Sequence, residues 1–237
     1  MSEQPLWQYD ELKHSGVDYA DPAQAQVFDT RHQRFRDYEE ETRATLELLE
    51  IRPEHTIIDM GVGTGSFALN AARHCRKIFA VDVSEAMLDL CQQKARTAGI
   101  ENIEFRQGGF LTYEHAGEPA DAITCSMALH HLPDFWKLIG LRRLNRMLRT
   151  GGKSYLSDVV FSFDPSEYQS AIDGWVESTS RNVCTEFKEE VEAHIRDEYS
   201  TFDWIMEGLL DRAGFTILEA NYLDEFLVQY RCVKKPA

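Results

Sequence analysis

The chain has 237 residues, 43% of them hydrophobic and 27% charged, the balance of a folded globular protein and not of a disordered one. Its formal net charge is −15. An evenly acidic surface repels the polyanions that Lys and Arg bind through counterion release, so neither nucleic acid nor an anionic membrane surface is an expected partner. No apolar run approaches the roughly 20 residues of a membrane span.

The N-terminus, Met1-Ser2-Glu3-Gln4-Pro5-Leu6-Trp7, lacks a basic stretch followed by an apolar one. The five cysteines, Cys75, Cys91, Cys125, Cys184 and Cys232, are scattered and form no C-x-x-C. Together these features lead to the expectation of a reducing, cytoplasmic setting. There is no internal repeat, and the whole of 1–237 reads as one domain.

In chain order, residues 1–38 read as an N-terminal cap region, with Asp21-Pro22 a helix start. Phe35 to Ile51 carries Leu46, Leu48, Leu49 and Ile51, the pattern of a helix lying on a sheet, and Arg52-Pro53 ends it. Strands and helices then alternate. Thr56–Met60 is a strand, Ser66–Cys75 a helix, and Lys77–Asp82 a second strand. Ser84 caps a helix running to Ala98-Gly99. Ile103–Arg106 and Ala122–Ser126 are the third and fourth strands, and Phe135–Leu148 is a helix stopped by Thr150-Gly151-Gly152. Lys153–Val160 is the fifth strand. Such alternation predicts a parallel sheet with helices on both faces.

The alternation then breaks. Asp164-Pro165-Ser166-Glu167 has a cap, a proline at the first helical position and an acid near the third. Residues 164–198 read as a helical insertion, either packing cover or a lid, with Glu186, Glu189, Glu190, Glu192, Asp197 and Glu198 on a solvated face. Trp204–Ala213 is a helix ended by Gly214. Phe215–Ala220 and Phe226–Val233 are strands joined by a short link, hence antiparallel.

The chemistry concentrates at Ile57-Ile58-Asp59-Met60-Gly61-Val62-Gly63-Thr64-Gly65, between a strand and a helix. Glycines there let a ligand approach the main chain, at the carboxyl end of the sheet. The next strand ends on Asp82, 23 residues beyond Asp59, close to the roughly 20 expected of an acid that accepts hydrogen bonds from ribose hydroxyls. The dinucleotide pattern G-x-G-x-x-G is not met, because Ser66 stands at its third position and Gly65 comes one residue early.

These residues resemble those of the class I S-adenosylmethionine-dependent methyltransferases. The resemblance runs through Asp59–Gly65, Val81-Asp82-Val83-Ser84-Glu85-Ala86-Met87-Leu88, Asp121-Ala122-Ile123, Ala128-Leu129-His130-His131-Leu132-Pro133-Asp134, Leu148-Arg149-Thr150-Gly151-Gly152 and Arg212-Ala213-Gly214-Phe215. It is nearest to small-molecule methyltransferases, including the quinone C-methyltransferase group. It implies a Rossmann-like α/β fold, with a seven-stranded, mostly parallel sheet, helices on both faces and a C-terminal antiparallel hairpin. It implies S-adenosyl-L-methionine as cofactor and S-adenosyl-L-homocysteine as product. Gly61 and Gly63 would pass close to the methionine part, and Asp59 would orient the loop or the ammonium. Asp82 would hold the ribose, with Val83 and Met87 flanking the adenine. The family often has an acid just after the third strand. Here Gln107-Gly108-Gly109-Phe110 puts Gly109 in that place, leaving backbone groups of Gly109 and Phe110 to meet the adenine.

Methyl transfer from a sulfonium needs alignment more than a protein nucleophile. Where the acceptor carries a proton, a base within hydrogen-bond reach helps. The candidates are His130, His131 and Asp158, all bordering the expected cleft. A metal held by His130, His131 and Asp158 is weighed and set aside, so no metal is expected. The run Phe28–Tyr38, with Arg31, Arg34 and Arg36, is a further candidate to meet a carboxylate. The expected activity is in-line methyl transfer to a small molecule. The alternatives are a non-catalytic S-adenosylmethionine-binding protein, a nicotinamide-dependent oxidoreductase, and a synthase acting on a carboxylated form of the cofactor. The sequence leaves the acceptor and the oligomeric state open.

Overall fold

Alternate residues of the apolar strands face opposite sides of one sheet, and two core layers result. A computed structural model describes residues 5–13, 37–182 and 185–236. Its first five strands, β1 (Thr56–Met60), β2 (Lys77–Asp82), β3 (Ile103–Gln107), β4 (Ala120–Ser126) and β5 (Leu148–Phe161), pair in parallel. The final strands, β7 (Phe215–Tyr222) and β8 (Leu227–Lys234), form an antiparallel hairpin, and β8 runs antiparallel to β5. The order is β3-β2-β1-β4-β5-β8-β7, so the expected seven-stranded α/β sheet with its closing hairpin is present. A two-residue strand, β6 (Thr201–Phe202), adds to the tip of β5 and was not anticipated.

On one face, Ile58, Met60, Phe79, Val81, Ile123 and Cys125 pack with residues of α4 (Asp134–Met147) and α7 (Asp203–Arg212). On the other, Ile57, Ile78, Ala80 and Ala122 meet α2 (Ser66–Ala71) and α3 (Glu85–Thr97), with Leu49 just beyond α1 (Tyr38–Leu48). Ser84 caps α3 as expected, its side chain accepting from Met87 N. The expected helix over 66–75 is α-helical only to Ala71 and tightens to a 3₁₀ turn over Ala72–His74. Strand β5 begins at Leu148, before the glycines, because Leu148 already pairs with Ala120 across a bulge.

The insertion begins as predicted, with Asp164 capping a 3₁₀ turn at Pro165–Glu167, followed by α5 (Tyr168–Asn182) and α6 (Thr185–Asp197). Trp175 of α5 stacks on Phe226 at 4.4 Å, which docks the pair against the start of β8. No helix among the described residues is long and apolar enough to cross a membrane. Asp21-Pro22 and residues 28–36 of the arginine-bearing run lie outside the described residues.

Ile123 sits in β4 with no exposed surface. Truncating it to alanine is expected to cost about 2–5 kcal/mol in urea unfolding. A loss under about 1 kcal/mol would show that the central strand is not packed as described.

Candidate functional site

Strand order reverses between β1 and β4, and at such a switch point the connections after neighbouring strands leave in opposite directions and open a crevice. The loop after β1 lies on one side of it. Gly61, Gly63 and Gly65 have φ of 75°, 53° and 90°, a region that suits glycine. A Cβ on Gly61 would lie 2.4 Å from the Ala128 Cβ, so this loop packs on the chain leaving β4. A Cβ on Gly63 would meet nothing within 4 Å, so the main chain there presents an open face.

Asp82 ends β2 and is buried. Its Oδ2 accepts from Gly63 N at 2.8 Å and its Oδ1 from Ser84 N at 2.9 Å. It therefore ties the glycine loop to the end of the neighbouring strand. A carboxylate has about four acceptor positions, so this duty is compatible with receiving further hydroxyls. Asp59, beneath the loop, accepts from the Thr124 hydroxyl at 2.8 Å. Burial pushes its pKa up to about 7; the Thr124 hydrogen bond opposes that shift and the nearby Asp82 charge adds to it.

The third wall follows β3. A Cβ on Gly109 would lie 2.8 Å from Val83 Cγ1 and 2.5 Å from Glu11 Oε2. Glu11 accepts from Leu111 N at 3.0 Å and from the Thr112 hydroxyl at 2.6 Å, while Gly109 N donates to that hydroxyl at 2.9 Å. Burial raises the Glu11 pKa against the pull of these bonds. The acid missing from the chain at Gly109 is thus matched by one from the N-terminal segment, a residue that sequence reasoning did not find. Met87 is buried in the first turn of α3. The Phe110 ring lies in the core beside Gly140, and its carbonyl accepts from Arg143 Nε at 2.9 Å.

Across the crevice, Met127 leaves β4 with φ 54°, a strained conformation for a side-chain-bearing residue, and a 3₁₀ turn over Leu129–His131 follows. Asp158, in β5 opposite Val228, has no exposed surface. Its Oδ1 accepts from His130 Nδ1 at 2.5 Å and from Val159 N at 2.8 Å, and its Oδ2 accepts from His130 N at 3.1 Å. On the far side of the ring, His130 Nε2 faces Glu198 Oε2 at 3.3 Å. Burial opposes the imidazolium, but Asp158 and Glu198 outweigh it and raise the His130 pKa. Burial and the neighbouring His130 lower that of His131 to about 4, which keeps it neutral.

Glu198 follows α6, the helix expected to carry a solvated acidic face. Its side chain is only 4% exposed and pairs also with His194 Nδ1. His194 Nε2 bonds the Ser200 hydroxyl at 2.6 Å. Tyr199 N donates to the His130 carbonyl at 2.8 Å, and the fully buried Lys137 ammonium holds Asp134 and the Tyr199 carbonyl. Tyr9 donates to the His131 carbonyl at 3.2 Å, and its ring lies between Trp136 and Tyr199. The structure therefore brings His130, His131 and Asp158 together and adds Glu198 and His194 to them.

A family model described as a methyltransferase domain matches residues 57–152. The uncharacterized methyltransferase YcgJ of Bacillus subtilis (strain 168) is 31% identical over 120 residues, 51% of this chain and 47% of its own length. The matched stretch thus spans about half of that relative. An uncharacterized methyltransferase of Geobacillus sp. (strain WCH70) is 26% identical over 80% of this chain and 86% of its own. Among solved structures, a S-adenosylmethionine-dependent methyltransferase from Clostridium acetobutylicum ATCC 824 superposes with TM-score 0.66 at 12% identity, over 90% of this chain and 98% of its own. At that identity the likeness is one of fold.

Asp59 has a folded pKa near 7 against an ordinary value of 3.8. The folded state therefore holds the extra proton, and the resulting stability is present at acidic pH and lost as pH rises towards and through 7. Asp59→Asn should accordingly gain on the parent chain, from about 1–2 kcal/mol at pH 5 to about 4 kcal/mol at pH 8 as an upper bound. Urea midpoints across that range test this, and a difference independent of pH would refute it.

Proposed function

We propose that the chain, whose residues 57–152 match a methyltransferase-domain family model, is a class I S-adenosylmethionine-dependent methyltransferase that methylates a small-molecule acceptor held between the glycine loop and His131. When bound, S-adenosylmethionine supplies a methyl group on a sulfonium sulfur and leaves as S-adenosylhomocysteine. The observation that carries this reading is Asp82, a buried carboxylate at a strand tip that also fixes the loop at Gly63.

The residues present fit such a donor. Gly61 and Gly63 give a main-chain surface without side chains, and the space a Cβ of Gly63 would fill is open. Asp82 would take the ribose hydroxyls. Asp59 would hold the loop through Thr124 or meet the ammonium. Val83 and Met87 would border the adenine, and Glu11, beside Gly109, is the carboxylate available to its exocyclic amine.

Support for a small acceptor comes from the other wall. Trp136 stacks with Trp7 at 6.3 Å and lies near Tyr9, so an aromatic surface flanks His131. The net charge of −15 disfavours a polyanion. Asp158 is enclosed by its bonds to His130 and Val159, so it positions His130 and does not itself meet an acceptor. The chain's contribution to rate would then be chiefly alignment, which is worth roughly 7–11 kcal/mol in well-oriented systems.

Calorimetric titration with S-adenosylmethionine, S-adenosylhomocysteine and NADH tests the donor. Micromolar binding of the first two is expected, weakened about 10- to 100-fold by Asp82→Ala or Asp82→Asn, since each charge-assisted bond is worth roughly 1.5–3 kcal/mol. A smaller loss is expected for Glu11→Gln, which keeps the shape and removes the charge. No binding of either, or a preference for NADH, would overturn the reading.

A further inference from the structure

The atoms facing each other between His130 and Glu198 do not form a complete hydrogen bond by themselves. Asp158 accepts from the His130 main chain, from Nδ1 and from Val159 N. An ionised carboxylate has no proton to give, so Nδ1 of His130 must carry the ring proton. His130 Nε2 stands 3.3 Å from Glu198 Oε2, and that oxygen also pairs with His194 Nδ1. His194 can donate there because its Nε2 has the Ser200 hydroxyl as partner at 2.6 Å. His130 Nε2 and Glu198 Oε2 thus face each other in a buried place with His131 beside them, a setting in which a cation can take the place of a proton on Nε2.

We propose that this cation is a divalent metal ion held by His130, His131 and Glu198. One ligand atom from each of the three lies within 4.8 Å of the others. At a tetrahedral centre with bonds of about 2.0–2.1 Å, ligand atoms stand about 3.3 Å apart, which is the separation found for His130 Nε2 and Glu198 Oε2. A modest turn of the His131 ring completes the set.

The surroundings have the further feature such a centre needs. A metal-bound histidine is normally fixed by a carboxylate on its other nitrogen, which sets the tautomer and the ring plane, and Asp158 does this for His130 at 2.5 Å. The ligand chemistry of two imidazole nitrogens and one carboxylate selects a borderline ion such as Zn²⁺ or Co²⁺, with an open position left for a water or a lone-pair donor on a ligand. The spacing of His130, His131 and Asp158 did not suggest this, because Glu198, the third ligand, lies 67 residues beyond His131.

The proposal does not rest on methyl transfer, and its test uses neither donor nor acceptor. Tag-free protein dialysed against a chelator is titrated calorimetrically with Zn²⁺ and with Co²⁺, and bound metal is counted by atomic emission. One ion per chain is expected, with a rise in melting temperature, and with His74→Ala at an exposed site behaving as the parent. Glu198→Gln, which preserves shape, and His131→Ala should each weaken binding at least tenfold. Asp158→Asn should weaken it about 10- to 100-fold through loss of the fixed tautomer. Circular dichroism confirms that each variant is folded. Absence of saturable binding by the parent, or binding by both Glu198→Gln and His131→Ala that matches the parent, would overturn the proposal.

Discussion

A carboxylate enclosed in the middle of a sheet dictates much of this architecture. Asp158 has no exposed surface, and an unpaired ion in that position would cost several kcal/mol even after relaxation. Its compensation comes from one residue above all, since His130 gives both a main-chain N–H and a ring N–H to it. That pair of hydrogen bonds fixes the 3₁₀ turn after β4 and leaves the far edge of the ring facing Glu198. Glu198 closes on that edge, and Tyr199 bonds the His130 carbonyl. Lys137 then grips the Tyr199 carbonyl from α4. One buried charge in β5 thereby recruits the end of α6 and the first turns of α4, and it sets where the insertion sits.

The opposite side of the crevice follows the same logic with a weaker solution. Asp82 accepts from the backbone N–H groups of Gly63 and Ser84. Asp59 accepts from the Thr124 hydroxyl, lies close to Asp82, and is pushed by burial to a pKa near 7. The two sides also touch, because Gly61 packs on Ala128, two residues before His130. A side chain at Gly61 would press on the turn that Asp158 holds in place.

Much of this was legible in the chain. The alternation of strands and helices from Thr56 onward predicted a sheet with helices on both faces, and the glycine spacing with Asp82 located the crevice. What stayed hidden depends on contacts made far along the sequence. Glu198 sits among five other acids over residues 186–198, and nothing local distinguishes the one that turns inward. Glu11 stands beside Asp10 in an irregular segment with nothing local to set it apart, and the space left by Gly109 explains its place. The place of the Phe110 ring was hidden for the same reason. Its neighbour in sequence borders the crevice, yet Gly140 of α4 opens a slot that draws the ring into the core. Strand β5 exceeded its expected length because pairing with Ala120 overrides the turn propensity of the glycines.

The short segment 5–13 joins the two sides in a way that neither explains alone. Trp7 stacks on Trp136 and Tyr9 reaches the His131 carbonyl, while Glu11, two residues on, is bound to Leu111 and Thr112. In extended chain two residues cover about 7 Å, so the segment is a direct tie from the turn after β4 to the loop after β3. The Glu11 carboxylate is held there against the cost of its burial, so a group that offers it a better donor gains from the exchange. Such a group would release or tighten one anchor of a segment whose other anchor is His131. The loop after β3 and the histidine pair are therefore tied to one another through nine described residues.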